Sequence, residues 1–360
     1  MSTQVMATAA QRIGIYKGET LAHAQPKEVI GIVCRTQKRT IPKNNGLVVK
    51  YRRWLPKGAT VNTPNTWSVD PAAHQLSESE TPLAESIAPQ DITATLVQYG
   101  VLYRYSDVVA DAYEDDVPAE MVKLTGERMG LLREMIRYGI LKSCTNVFRA
   151  GGVASRSSIQ TKITTNGLRA ISRSFQNNLA DPITSFLPPS PDVGTASVEP
   201  AFVAFIASDL TNDVRALSGF VHTSDYGTRK ILHEQELGTW EDFRFVSSPH
   251  LGAYLLAGGT GAAANTVLAN GVANSAGTEA ADVYPIIVLS ERAYGDVMLR
   301  GMDSFSLYHR RPGGGDQANS SPDDPLNQRG HVGAKFYMTA VLLNQLQMAV
   351  YEVACSYVTA

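Results

Sequence analysis

The longest helical pattern in the chain runs from Pro118 to Phe148. Apolar residues recur there at spacings of three, four and seven, which places them in two neighbouring rows along a helix. The first row contains Met121, Leu124, Leu131, Met135, Tyr138 and Leu141, the second contains Leu132, Ile136, Ile140 and Val147, and the charged residues between them are Lys123, Glu127, Arg128, Arg133, Arg137 and Lys142. Asp115 and Asp116 precede the pattern, where acids favour a helix start. We predict a spine helix over 118–148, roughly 45 Å long.

Partial alternation of β-branched and aromatic residues predicts two strands, Gly46–Leu55 and Ile92–Tyr105. The polar, proline-containing stretch between them is longer than compact domains usually keep without a use. We therefore expect a projecting hairpin, and a floppy surface insertion is the alternative.

The predicted hairpin is charged asymmetrically, with a basic base and an acidic outer part. This asymmetry suits docking on a second copy of the chain. The candidates for contact between subunits are Lys50, Arg52, Arg53, Trp54, Glu78, Glu80 and Glu85. Stacking of the basic and aromatic residues on nucleic acid is a weaker alternative.

Downstream of the spine helix the pattern alternates between strand and helix. It predicts an extended segment at 155–165, a helix at 167–180 capped by Asn166, and a proline-rich linker at 181–200. Strands are predicted at 201–207, 242–246, 284–289 and within 334–357, and short helices at 209–217, 228–236 and 291–299. Glycine-rich loops fill 252–282 and 311–330, and we expect the second loop to be mobile.

Residues 1–45 show no sustained periodicity beyond a short apolar run at Val29–Cys34. A segment of this length is expected to bury little against its own chain. We therefore predict an extended N-terminal arm that lies on a neighbouring subunit.

Composition narrows the class of protein. The chain has 360 residues, 44% of them hydrophobic, which is enough for a substantial core and two or three lobes. A formal net charge of −2 argues against a dedicated nucleic-acid binder. Cys34, Cys144 and Cys355 are widely separated and are expected to be reduced thiols. We find no secretory signal pattern and no run of apolar residues long enough to span a membrane.

Candidate chemistry is sparse. Gly259-Thr260-Gly261 resembles a dinucleotide-binding turn, but the residues that follow it do not favour the helix that such a turn requires. His233-Glu234 lacks a second histidine at the zinc-binding spacing. We therefore predict no catalytic residues, no cofactor and no metal, and no enzyme activity. A cytosolic oligomeric enzyme that binds a nucleotide at the Gly259 loop is the alternative.

Several motifs in a shared order resemble the N4-gp56 family of tailed-phage major capsid proteins, which have the HK97-type capsid fold. They include Tyr51-Arg52-Arg53-Trp54, Thr81-Pro82-Leu83, 91–100 (DITATLVQYG), Thr145-Asn146-Val147, 209–217, Phe243-Arg244-Phe245-Val246, Val283-Tyr284-Pro285, Ala293-Tyr294-Gly295 and 324–330 (DPLNQRG). The resemblance extends over residues 46 to about 345.

The resemblance implies an α+β HK97-like capsid fold. Its parts would be an N-terminal arm (1–45), an extended β-hairpin or E-loop (46–105), a peripheral lobe (106–200) with spine helix 118–148, an axial lobe (201–330) and C-terminal strands (331–360) that return to the peripheral lobe. The implied function is a major capsid protein that self-assembles into the icosahedral head around the double-stranded DNA of a tailed bacteriophage. A portal or decoration protein of the virion is a further alternative.

The implied partners follow from this function. They are many copies of the chain in pentamers and hexamers, the portal, scaffold and cement or decoration proteins, and the enclosed DNA through weak, non-specific contact. No membrane is involved. Assembly would take place in the host bacterial cytoplasm, and the final location would be the virion.

Overall fold

The computed structural model of the chain describes residues 28–31, 39–42, 44–55, 70–76, 78, 87–113, 116–183, 200–227, 231, 233–261, 267–274, 278–299, 306–312 and 324–356. The helices in these ranges are α1 (Asp107–Ala112), α2 (Val117–Leu141), α3 (Thr165–Asn177) and α4 (Thr211–Arg215). The strands are β1 (Arg39–Ile41), β2 (Val48–Leu55), β3 (Ala88–Thr95), β4 (Val97–Ser106), β5 (Val147–Arg149), β6 (Phe202–Ala207), β7 (Val221–His222), β8 (Glu236–Trp240), β9 (Phe243–Ser248), β10 (Leu268–Ala269), β11 (Val272–Ala273), β12 (Val283–Leu289), β13 (Tyr294–Leu299), β14 (Ser306–Arg310), β15 (Arg329–Leu342) and β16 (Met348–Ala354).

A five-stranded sheet lies along the spine helix α2. The long strand β15 pairs with β4, β13 and β14, and β1 continues the sheet by pairing with β13 in parallel. Met129 of α2 packs on Phe336, Met338 and Met298 from the inner face of this sheet. Burial of these large apolar side chains, at roughly 1.5–3 kcal/mol each, holds helix and sheet together.

A seven-stranded sheet forms the second layer, in the order β5-β16-β12-β6-β9-β8-β7. Strands β6, β12 and β16 are buried on both faces, and their sequences are apolar throughout except for Glu352 in β16. Helix α3 covers one face, where the rings of Phe175 and Phe202 lie 4.9 Å apart at their centroids. The strands predicted within 201–207, 242–246, 284–289 and 334–357 are therefore confirmed.

The spine helix is confirmed at its start and is shorter than predicted at its end. The Asp116 side chain caps it by accepting a hydrogen bond from the Ala119 amide, and Pro118 lies in the first turn. The helix ends at Leu141, and Val147, which the pattern includes in the helix, belongs to strand β5. At 1.5 Å per residue its 25 residues are about 37 Å long. The residues that turn inward also differ from the predicted rows, since Leu124 and Met135 are exposed.

Two other predicted elements are wrong. The pattern predicts a helix at 291–299, but Tyr294–Leu299 is strand β13. The described residues of 228–236 contain no helix, and Glu236 begins strand β8. The predicted extended segment at 155–165 contains a 3-10 turn at Arg156–Ser158, and its backbone is extended at Ser155, Ile159 and Thr164. Helix α3 is present, but Thr164 rather than Asn166 caps it. The linker at 184–199 and the loop at 313–323 lie outside the described residues.

The prediction for the N-terminal arm is wrong in the part of the arm that the structure describes. Val29 and Ile30 are fully buried in the main core of their own chain, beside Tyr138, Leu141 and Tyr294. Strand β1 is likewise part of the five-stranded sheet of the same chain. The remainder of 1–45 lies outside the described residues.

Candidate self-association site

The hairpin predicted from the sequence is formed by β2 and β3. They pair in antiparallel over eight positions, from Val48 opposite Thr95 to Leu55 opposite Ala88. The second predicted strand, Ile92–Tyr105, is broken at Leu96, because β4 leaves the hairpin and pairs with β15 along ten residues. The hairpin is therefore a two-stranded ribbon that joins the five-stranded sheet at its root.

The inner face of the hairpin is held against the body of the subunit. Val49, Tyr51 and Ala94 pack beside Ile41 of β1 and Val297 of β13. The guanidinium of Arg39 lies 4.7 Å from the centre of the Tyr51 ring, a cation–π contact. These contacts fix the orientation of the ribbon relative to the five-stranded sheet.

The opposite face, which we call the outer hairpin face, is exposed. It consists of Val48, Lys50, Arg52 and Trp54 on β2 and their partners Thr95, Thr93, Asp91 and Pro89 on β3. The Trp54 residue is 58% exposed, and Val48, Leu47 and Ile87 close by are also about half exposed or more. A large aromatic side chain in this setting is typical of a binding surface rather than of a core.

The charges at the base of the hairpin are largely satisfied within the chain. Arg52 donates two hydrogen bonds to Asp91 on the neighbouring strand, at 2.6 and 2.8 Å, and these bonds hold the pKa of Asp91 below its ordinary value. Arg53 points to the inner face and donates to Gln90 at 2.5 Å. Of the four candidates at the base, Lys50 and Trp54 are therefore exposed on the outer hairpin face. Arg52 is also exposed but is paired with Asp91, and Arg53 is partly buried.

The acidic candidates belong to the loop of the hairpin. Glu78 is exposed, and nearby Asp70 caps a short 3-10 helix, Pro71–His74, by accepting from the Ala72 amide at 3.0 Å. Glu80 and Glu85 lie outside the described residues. The structure therefore places Glu78 at the surface and leaves the pairing of the three acids a prediction.

A buried polar cluster that the sequence analysis missed joins the spine helix to strand β13 of the five-stranded sheet and to the N-terminal segment. We call it the root cluster, and it consists of Glu28, Glu134, Arg137 and Asp296. The sequence pattern predicts Arg137 among the charged residues between the two apolar rows of the spine helix. Its side chain is instead only 4% exposed and pairs with Asp296 of β13 at 2.8 Å and with Glu28. Burial disfavours the charged guanidinium and lowers the pKa of Arg137. The carboxylates of Asp296 and Glu28 have the larger combined effect, so the pKa of Arg137 lies above its ordinary value.

Glu134 completes the root cluster by holding the backbone of the N-terminal segment. Its carboxylate accepts from the amides of Val29 and Ile30, at 3.2 and 3.0 Å, and the Tyr294 hydroxyl donates to the Ile30 carbonyl at 3.0 Å. Burial raises the pKa of Glu134, although these amides and Arg137 act in the opposite direction. The only sign of this cluster in the sequence is that charged residues, Glu134 and Arg137, interrupt the apolar residues of the spine helix.

The structure does not support the nucleotide-binding alternative at Gly259. The Gly259 amide donates to the Ile159 carbonyl at 2.9 Å, its own carbonyl accepts from Ala281 at 3.1 Å, and Gln160 binds the Thr260 carbonyl. The described residues that follow form the β10–β11 hairpin, so they provide no helix N-terminus for a phosphate.

Within the described ranges, no three His, Cys, Asp or Glu residues are grouped so as to hold a metal ion. Among the same residues, no helix is both long enough and apolar enough to cross a membrane.

Comparison with known proteins identifies the fold. No family model matches the chain, and no curated protein matches it either. Solved structures do match over nearly its whole length. The capsid of Ralstonia phage GP4 has a TM-score of 0.60 at 9% identity, covering 100% of both chains. The capsid of cyanophage Pam1 has 0.59 at 13% identity, covering 98% of both. The capsid of cyanophage P-SCSP1u has 0.58 at 15% identity, covering 96% of this chain and 93% of the other. The chain therefore has the α+β fold found in these phage capsid structures.

Proposed function

We propose that the chain is the major capsid protein of a tailed bacteriophage, which self-assembles into the icosahedral head that encloses a double-stranded DNA genome. The observation that carries this proposal is the match, end to end in both chains, to subunits of several phage capsids.

The geometry of the hairpin supplies a mechanism for assembly. Its inner face is fixed to the five-stranded sheet, while its outer face exposes Trp54 and Val48 to solvent. Burial of these side chains on a neighbouring subunit would contribute through the hydrophobic effect, at about 25 cal/mol for each Å² of apolar surface. Repetition of one such contact between identical subunits generates rings and closed shells.

Finer assignments follow from the sequence resemblance. We assign the chain to the N4-gp56 family on its motifs, the β2–β3 hairpin with its loop to the E-loop, and α2 with the five-stranded sheet to the peripheral lobe. The seven-stranded sheet would form the greater part of the axial lobe. The C-terminal strands would then belong to both lobes, since β15 is part of the five-stranded sheet and β16 is part of the seven-stranded sheet.

The partners implied by the proposal are further copies of the chain in pentamers and hexamers, together with portal, scaffold and decoration proteins. The near-neutral net charge of −2 suits a wall that meets the enclosed DNA by weak, non-specific contact. Assembly in the host cytoplasm and residence in the virion complete the proposal.

Expression of the full chain, followed by sedimentation and negative-stain electron microscopy of the clarified lysate, tests the proposal. We expect rings, curved sheets or closed shells of uniform thickness. A chain that stays monomeric at every concentration, and that is absent from purified virions or present there in only a few copies, would contradict the proposal. Copy number per particle also separates a shell subunit from a portal or decoration protein.

A further inference from the structure

Asparagine is followed directly by glycine at three places in the chain, which are Asn45-Gly46, Asn166-Gly167 and Asn270-Gly271. At such a pair the amide nitrogen of the glycine can attack the side-chain carbonyl carbon of the asparagine, because glycine has no side chain to obstruct the approach. All three asparagines are exposed, so water reaches each of them. The three pairs differ in how the amide of the glycine is bonded.

The reaction at such a pair needs water and no other reagent. A bond forms between the glycine nitrogen and Cγ of the asparagine, and the bond from Cγ to the side-chain nitrogen breaks. Ammonia leaves and takes with it the proton that the glycine nitrogen loses. Water then adds to one of the two carbonyl groups of the resulting succinimide ring and opens it. The product is aspartate or isoaspartate, and no electrons are gained or lost.

The amide of Gly167 is held by the start of helix α3. It donates to the hydroxyl oxygen of Thr164, the cap of that helix, at 3.2 Å. Attack on Asn166 would break this hydrogen bond and would rotate the backbone out of the first helical turn. The hydroxyl of Tyr351 also lies beside Gly167 and leaves no space on that side. We therefore expect the fold to slow the reaction at Asn166.

The amide of Gly271 is held by a buried carboxylate. Asn270-Gly271 is the two-residue turn of the β10–β11 hairpin, and both residues have positive φ, 50° and 74°. The Gly271 amide donates to Oδ2 of Asp282 at 2.7 Å, and the Asn270 amide donates to Oδ1 at 2.9 Å. Asp282 is fully buried, so its negative charge strongly disfavours the loss of a proton from the Gly271 nitrogen. The fold therefore protects Asn270 as well.

The amide of Gly46 has no comparable restraint. In the part of the chain that the structure describes, no hydrogen bond joins the Gly46 amide or the Asn45 side chain to another residue. Nothing lies within 4 Å of the position that a Cβ would take at Gly46. The pair lies in the connection between β1 and β2, outside any helix or strand. The glycine nitrogen is therefore free to turn toward Cγ of Asn45.

From this comparison we propose that Asn45 is a site of self-modification, at which the chain converts asparagine to aspartate and isoaspartate through a succinimide. The bonding of the neighbouring glycine amides protects Asn166 and Asn270 from the same reaction. The inference does not depend on the proposed function, because every group that reacts belongs to one chain.

The modification changes the connection that leads into the hairpin. One negative charge is added, which takes the formal net charge from −2 to −3, and isoaspartate also lengthens the backbone by one methylene group. Leu47 follows the modified pair, and its carbonyl accepts a hydrogen bond from the Leu96 amide at 2.8 Å. The altered residue therefore lies directly beside the point at which β2 and β3 begin to pair.

Incubation of the purified full chain at neutral pH, followed by tryptic digestion and tandem mass spectrometry, tests the proposal. Replacement of the side-chain nitrogen by oxygen raises the mass of a peptide by about 1 Da. The three pairs fall in separate tryptic peptides, 44–50, 163–169 and 245–292. We expect Asn45 to react at least about tenfold faster than Asn166 or Asn270, a ratio that corresponds to a difference of about 1.4 kcal/mol in the barrier.

Two matched variants assign the reacting residue. Asn45→Gln keeps an uncharged amide at an exposed position, but its ring closure would have to form a six-membered ring and is much slower. The mass gain of peptide 44–50 should therefore disappear in this variant. Asn166→Gln is the control and should leave the mass gain of peptide 44–50 unchanged. A gain that persists in Asn45→Gln would place the reaction at Asn44 and would overturn the proposal.

The same incubation in concentrated urea isolates the contribution of the fold. In the unfolded chain all three glycine amides are equally free, so the three asparagines should react at similar rates. A folded chain in which Asn166 or Asn270 reacts as fast as Asn45 would overturn the inference. An unfolded chain that keeps the full preference for Asn45 would also overturn it, because the preference would then come from the local sequence rather than from the hydrogen bonds of the structure.

Discussion

Arg137 on the spine helix donates from Nε to Oδ2 of Asp296 on β13 at 2.8 Å, and the two side chains are only 4% and 3% exposed. This ion pair joins the spine helix to the five-stranded sheet that carries the hairpin. The same guanidinium binds Glu28, so the N-terminal segment is tied to the same point. The spine helix, the five-stranded sheet and the N-terminal segment therefore share one buried anchor.

Replacement of Arg137 by Met should destabilise the subunit strongly. The methionine would fill a similar volume, but Asp296, Glu134 and Glu28 would lose their shared positive partner. Breaking one side of a buried ion pair costs about 3–5 kcal/mol. Urea denaturation would measure the loss in the free energy of unfolding. Arg128→Met, at an exposed position of the same helix, is the control and should change stability by no more than about 0.5 kcal/mol. Equal stability of the two variants would show that the ion pair anchors nothing.

Replacement of Trp54 by Ala should impair assembly and leave the subunit stable. The side chain is largely exposed in the subunit, so its removal should change the free energy of unfolding by no more than about 0.5 kcal/mol. Buried tryptophans often dominate interfaces, and we expect at least about a tenfold rise in the concentration needed for assembly. Leu255→Ala is the control, because it removes a similarly exposed apolar side chain from a turn beside the seven-stranded sheet. Unchanged assembly of the Trp54 variant would exclude the outer hairpin face from the contact.

Two glycines in helices should respond to alanine in opposite directions. Nothing lies within 4 Å of the position that a Cβ would take at Gly139, so Gly139→Ala should stabilise the spine helix by up to about 1 kcal/mol. A Cβ at Gly167 would clash with the hydroxyl of Tyr351, which is buried and hydrogen-bonded to Thr164. We expect Gly167→Ala to cost about 1–3 kcal/mol. Thermal denaturation compares the two, and a shift of the same sign in both would contradict the packing described for α3.

The stability of the dissociated subunit should fall as the pH decreases from 7.5 to 5.5. Burial, together with Arg310, Arg104 and His309, lowers the pKa of His331. As the pH falls through the ordinary histidine pKa of about 6.5, the unfolded chain therefore binds a proton before the folded chain does. The stabilisation that comes from neutral His331 is therefore fully present above about pH 6.5 and is lost as the pH falls below it. His331→Asn should flatten this dependence, whereas His74→Asn in the exposed loop should not. Identical pH slopes for wild type and His331→Asn would refute the account.

The local elements that sequence predicts correctly are those whose stability depends on their own residues. The strands β6 and β12 are unbroken apolar runs that can only be buried, and the spine helix begins where Asp116 and Pro118 favour it. The hairpin was also recognisable, because β-branched residues flank a long polar loop. Its assignment to contact between subunits depended on the family resemblance as well as on charge.

The other elements depend on contacts between residues that are far apart in the sequence. Residues 294–299 resemble a helix locally, yet they form β13 because β15 and β1 provide hydrogen-bonding partners on both edges. Arg137 looks like a surface residue until Asp296, 159 positions away, comes within 2.8 Å of it. His331 likewise lies opposite Arg104 and Arg310 only because strand register aligns three residues from distant parts of the chain. Sequence specifies periodicity and capping, which act over a few residues, whereas the contacts that anchor the hairpin join residues that only the folded sheet brings together.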